Sequence, residues 1–94
     1  MIIGTAQMEF FLPESGSLKM KRESLRRLKD RVRHRFNVSV AEIGEQDKWQ
    51  RALVAVAAVS SDKRNLESLL ESVINDVKKD HSALQLTDYR IEIF

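Results

Sequence analysis

Between Leu53 and Val59 the chain reads Leu-Val-Ala-Val-Ala-Ala-Val, an apolar run with Arg51 before it and Ser60, Ser61 and Asp62 after it. Both of its alternating faces are apolar: Leu53, Ala55, Ala57 and Val59 on one side, Ala52, Val54, Val56 and Ala58 on the other. A strand of this kind sits in the middle of a sheet and is covered on both faces. It fixes the architecture, because the remaining segments must supply neighbours on either side and layers above and below. With 94 residues, 43% hydrophobic and 32% charged, the chain has the composition of one folded domain with a single modest core. The domain is expected to span residues 1–94.

The neighbours are legible by period. From Ile2 to Leu12, Ile2, Gly4, Ala6, Met8, Phe10 and Leu12 alternate with Ile3, Thr5, Gln7, Glu9 and Phe11, a strand with one face toward a core. Pro13 to Gly16 break the pattern, and Ser17 is placed to cap a helix running to about Arg35. The apolar stripe of that helix is Leu18, Leu25, Leu28, Val32 and Phe36, with Lys21 and Lys29 at its border, their stems on the core and their ammonium groups in water. A second strand is expected from Asn37 to about Glu45, a hairpin turn over the following polar residues, and the third strand from Trp49 to Ser60. Ser61 or Asp62 starts a second helix whose Leu66, Leu69, Leu70, Val73, Ile74 and Val77 form an amphipathic stripe. After a polar link from Asp80 to Gln85, Tyr89, Ile91 and Ile93 alternate with Asp88, Arg90 and Glu92 in a final strand.

The order βαββαβ predicts an α+β, ferredoxin-like sandwich: a four-stranded antiparallel sheet of order 4-1-3-2 with both helices on one face. Two helices cannot cover the other face. A homo-oligomer, with a symmetric dimer favoured, is the expected cover, and its interface is expected to hold Trp49, Arg51, Leu53, Ala55 and Ala57. The competing expectation is a solvated face, since Gln7, Glu9, Arg90 and Glu92 also point there.

Charge is as unevenly distributed as hydrophobicity. Lys19 to Arg35 contains nine basic residues against Glu23 and Asp30, a net +7 in a chain of net +2, which leaves −5 elsewhere. Such a pole suits a polyanion, nucleic acid above all. Lys19, Arg22, Arg26, Arg27, Arg31 and Arg33 are the candidate phosphate contacts, with Arg able to fork onto phosphate oxygens. A solvated face, or an ion-pair network, is the alternative. The third strand lacks the aromatic residues on which an RNA-recognition motif stacks bases, and there is no GxxG loop, so recognition through shape and phosphate is expected, without sequence readout.

Catalysis finds little support. There is no cysteine, so thiolate metal sites, disulfides and cysteine nucleophiles are excluded, and Gly4, Gly16 and Gly44 do not make a phosphate loop. His34 and His81 fall on different elements with no carboxylate cluster at ligand spacing, so neither a metal nor a cofactor is expected. Glu42, Glu45, Gln46, Asp47, Trp49, Gln50 and Arg51 gather around the hairpin, but in an open turn nothing shifts their acidity. The amino-terminal apolar run carries no basic segment ahead of it and soon contains Gln7 and Glu9, so neither a signal peptide nor a membrane span is expected, and the cytoplasm is the expected compartment.

Several runs carry a resemblance. Pro13 to Arg22, Arg35 to Glu42 and Gln46 to Ala52, with Val59 to Asp62 and the ending Tyr89 to Ile93, resemble the YlxP-like family of small bacterial proteins of unknown function. The resemblance implies a ferredoxin-like fold and a bacterial, cytoplasmic setting. Genes of this family often lie beside those of translation initiation factor two and ribosome-binding factor A, which implies an RNA or ribosome connection by association. It supplies no catalytic residue. The expectation is therefore a non-enzymatic RNA- or ribosome-associated protein acting through its first helix; the alternative is a dimeric protein-interaction or small-ligand module with no nucleic-acid role.

Overall fold

The computed structural model describes residues 1–80 and 83–94. Its elements are β1 (Ile2–Phe11), α1 (Leu18–Arg35), β2 (Ser39–Gly44), β3 (Arg51–Ser60), α2 (Lys63–Lys78) and β4 (Gln85–Ile93). The strands form one antiparallel sheet in the order β2-β3-β1-β4, the ferredoxin-like arrangement. Both central strands, β3 and β1, are ten residues long and pair along their whole length, from Ile2 with Ser60 to Phe11 with Arg51.

Each helix begins where the sequence supplies an acceptor. The Ser17 hydroxyl accepts from the Met20 N–H at 3.1 Å, and the Asp62 carboxylate accepts from the Arg64 and Asn65 N–H groups. These caps satisfy first-turn donors and each contributes on the order of 1 kcal/mol. The buried layer between helices and sheet is built from Ala6, Met8, Phe10, Val54, Val56, Leu25, Leu28, Val32, Leu66, Leu70, Val73 and Ile74. Gly4 permits the close approach of α2: a methyl group there would lie 2.9 Å from Ile93 and Leu70 and 3.0 Å from Leu66.

Three expectations change. The strands flanking the hairpin are shorter: β2 starts at Ser39 because residues 36–38 turn the chain out of α1, the Val38 N–H bonding the Phe36 carbonyl, and β3 starts at Arg51 because residues 45–50 form the hairpin turn. Glu45 takes the left-handed conformation (φ 62°), and the Lys48 N–H returns to its carbonyl. β3 is central but covered on one face only: Ala52, Val54, Val56 and Ala58 are buried, whereas Leu53, Ala55 and Ala57 are half-buried and Val59 is 64% exposed.

The third change concerns Lys21, whose ammonium group does not reach water. The residue is 1% exposed, its Nζ lying 3.0 Å from the Glu42 carboxylate on β2 and donating to the Glu45 carbonyl. Leu18 and Phe36, at the ends of the stripe, are half-buried, so Lys21 takes a core position on α1. Its burial is compensated by an anion and an acceptor from the hairpin, as a charge in the interior requires.

Candidate functional site

An α-helix sends successive side chains out at 100° steps, so a cluster in sequence is dispersed in space. Applied to α1, this divides the basic residues into groups with different neighbours. Lys19, Arg22, Arg26, Lys29 and Arg33 follow one another at steps of three and four residues and share one flank. The contact of the Arg33 guanidinium with the Val40 carbonyl, 2.9 Å, shows that this flank lies beside the outer edge of β2.

Arg31 and Arg35 lie on the opposite flank, toward α2. The Arg31 Nε is 3.3 Å from the Asp76 carboxylate and its Nη1 bonds Asp80, while Arg35 bonds Asp76. Arg31, Asp76 and Asp80 are only partly accessible, so this cluster ties α1 to the end of α2. Arg31 is thus committed to internal neutralisation, the competing reading for the whole helix. It extends to Arg35 and Lys21 but not to Lys19, Arg22, Arg26 or Arg27 among the described residues.

Among the described residues Lys19, Arg22, Arg26 and Lys29 have no carboxylate partner, and Arg27 reaches only the Ser24 hydroxyl, at 3.4 Å. Lys19, Arg22, Arg26 and Arg27 are exposed, and Lys29 is half-buried. Arg33 is divided between the Val40 carbonyl and a long 3.9 Å approach to Asp30. Fourteen residues separate Lys19 from Arg33, which at 1.5 Å per residue makes a cationic row about 21 Å long. Its members stand roughly 5 Å apart along the axis, dense enough for each to meet a separate phosphate. Lys29 was absent from the sequence-derived set; its signal was the three- and four-residue spacing to Arg26 and Arg33.

The expected interface residues fall on the face of the sheet away from the helices. Leu53, Ala55 and Ala57 project there beside Glu9, Gln7 and Thr5, their partners across β1. Arg51 lies 5.9 Å from the centre of the Phe11 ring, and Trp49 projects from the hairpin, 55% exposed. The hairpin itself is fixed from below by Lys21 and to the β1–α1 loop by Gln50, whose side chain donates to the Pro13 carbonyl. Two of its carboxylates are engaged in ion pairs, Glu42 with Lys21 and Glu45 with Lys48. His34 is exposed on α1, and His81 lies outside the described residues. No helix of the described chain is long and apolar enough to cross a membrane.

Comparison with known proteins agrees with the resemblance carried by the loop and cap motifs. The chain is 47% identical over 73 residues to the Bacillus subtilis (strain 168) protein described as "Uncharacterized protein YlxP", covering 78% of this chain and 79% of that one. The profile described as "Protein of unknown function (DUF503)" matches residues 3–91, from the second residue of β1 into β4. A match of that extent takes in both helices, all of β3 and all but the first residue of β1, and the chain therefore belongs to the DUF503 family, with the YlxP protein among its relatives.

Proposed function

We propose that this protein is a non-enzymatic, cytoplasmic RNA- or ribosome-associated binding protein, and that the β2-side flank of α1 is its contact surface. The observation that carries the reading is the row Lys19, Arg22, Arg26 and Lys29, exposed or half-exposed and without carboxylate partners among the described residues, continued by Arg33. Arg31, which the sequence grouped with these, serves the α1–α2 contact instead. Five cations on a helical ridge grip a phosphate backbone through charge and shape and offer nothing that reads bases.

The test is a titration with structured RNA over a range of salt concentrations. Five phosphate contacts predict a log–log salt slope of roughly −4. Absence of binding at low ionic strength, or binding indifferent to salt, refutes the proposal.

A second reading, a dimeric protein-interaction or small-ligand module without a nucleic-acid role, is favoured by one observation: Trp49 is exposed on the hairpin, and Leu53, Ala55 and Ala57 are only half-buried on the open sheet face. Exposed tryptophan next to arginine is typical of interface anchors. Under this reading Trp49→Ala abolishes partner capture while charge reversal on α1 leaves it intact.

A further inference from the structure

The two edges of the sheet are finished differently. β2 is six residues long, its register shifts between Glu42 and Gly44, and the Arg33 guanidinium occupies the Val40 carbonyl. Shortness, a bulge and a covering cation are all devices that keep an edge from pairing. β4, nine residues long, is the opposite edge, and among the described residues no strand lies beyond it.

The direction of the β4 backbone groups follows from its bonds. The Phe94 N–H donates to the Ile3 carbonyl, so by two-residue alternation Glu92 and Arg90 also turn their backbone groups to β1. Tyr89, Ile91 and Ile93 turn theirs outward. The Tyr89 N–H bears this out: it donates 2.9 Å to the carboxylate of Asp88, its own neighbour, rather than to a strand. Ile91 and Ile93 are left with outward donors and acceptors at the open edge.

The side chains along this edge are complementary to themselves. Asp88, Arg90 and Glu92 alternate in sign on the open face of the sheet, with Arg90 2.9 Å from Glu92. An antiparallel copy centred on Ile91 brings Arg90 opposite the partner's Glu92, and Glu92 opposite the partner's Arg90. The same register makes a hydrogen-bonded pair of Ile91 with the partner's Ile91, and one of Tyr89 with the partner's Ile93 in which the Tyr89 N–H exchanges the Asp88 carboxylate for the partner's carbonyl. On the helix side Glu67, Glu71 and Lys78 follow one another along the flank of α2 above β4. Lys78 lies 4.6 Å over the Tyr89 ring, and Glu71, Ile74 and Asn75 border a groove of about 220 Å³ with Tyr89 and Ile91. The two-fold axis runs the α2 helices antiparallel.

We propose that the chain self-associates through β4, edge to edge, into a two-fold dimer with one continuous sheet. The open sheet face is the weaker candidate for that contact. A second copy there would strip water from Gln7, Glu9, Asp88, Arg90 and Glu92 together, whereas edge pairing keeps the charges at the surface as cross-strand partners. Edge pairing also leaves all the helices on one side. The two basic flanks then lie at the two outer edges of the continuous sheet, beside its two β2 strands, which are about 34 Å apart at about 4.8 Å per strand. That last consequence rests on the polyanion reading; the dimer does not.

Sedimentation velocity across the micromolar to millimolar range tests the seam. The wild-type chain dimerises on concentration. Arg90→Glu and Glu92→Arg each weaken the dimer about tenfold, and the two together restore it. Ile91→Pro removes an N–H that serves no intramolecular bond and gives a folded monomer, checked by circular dichroism; should that variant fail to fold, the charge exchange still decides. A wild type that stays monomeric throughout, a dimer indifferent to both charge reversals, or one broken by Ala55→Asp but not at Arg90 overturns the proposal. RNA binding measured on the same samples is read separately: its loss with an intact dimer counts against the polyanion reading alone.

Discussion

The two flanks of α1 carry the same kind of residue and put it to opposite uses. Toward α2, Arg31 and Arg35 are neutralised by Asp76 and Asp80 and hold two helices together. Toward the β2 edge, Lys19, Arg22, Arg26 and Lys29 meet no carboxylate among the described residues. Charge counted along a sequence adds contributions that a helix then points in different directions. The row on the β2-side flank, with exposed Arg27, is the component left for a partner, and Lys21 supplies a third direction, inward.

The comparison breaks most visibly at that inward residue. Lys21→Ala leaves the Glu42 carboxylate without its cation and opens a cavity beneath the hairpin, and is expected to cost about 3 kcal/mol in urea or thermal unfolding. Lys21→Met, which keeps the volume and loses the charge, costs less, and the folded variant binds RNA as the wild type does. Next in size, Arg22→Glu combined with Arg26→Glu lowers affinity for structured RNA by roughly tenfold to a hundredfold and flattens the salt slope by about 2, with an unchanged melting temperature. Equal loss of stability and affinity would show that the β2-side flank is structural after all.

Arg31→Ala inverts that pattern. It removes partly screened ion pairs to Asp76 and Asp80, so about 1 kcal/mol of stability is lost while RNA affinity stays within twofold. A large fall in affinity would place Arg31 back with the contact residues. Glu45→Gly is the smallest effect: relief of a left-handed backbone raises stability by up to about 1 kcal/mol, offset by the exposed Lys48 pair, and leaves binding untouched.

Much of the architecture was legible because it is written in two periods. Alternation in Ile2 to Phe11 and the unbroken apolar run of Leu53 to Val59 located the central strands, and the helical spacing of Leu66, Leu70 and Val73 located α2. Topology followed from element order alone. What sequence could not supply was the content of the helix's surroundings. Arg31 and Asp76 are 45 positions apart, and nothing local announces that they meet. Lys21 looked like a border lysine because its two acceptors, Glu42 and the Glu45 carbonyl, reach it only once the hairpin folds over the start of α1. The hairpin's own boundaries slipped for a similar reason, since a glutamate in the left-handed region carries no compositional mark.

Arg33 performs two tasks with one guanidinium. Folded back on the Val40 carbonyl it seals the β2 edge; turned outward it would extend the cationic row. These positions exclude one another in part, so any ligand that recruits Arg33 uncovers a backbone acceptor on a strand that is otherwise shielded. Tight engagement at this end of the helix therefore carries a cost in protection against unwanted strand addition, and the loaded protein should be the form more prone to aggregate through that side.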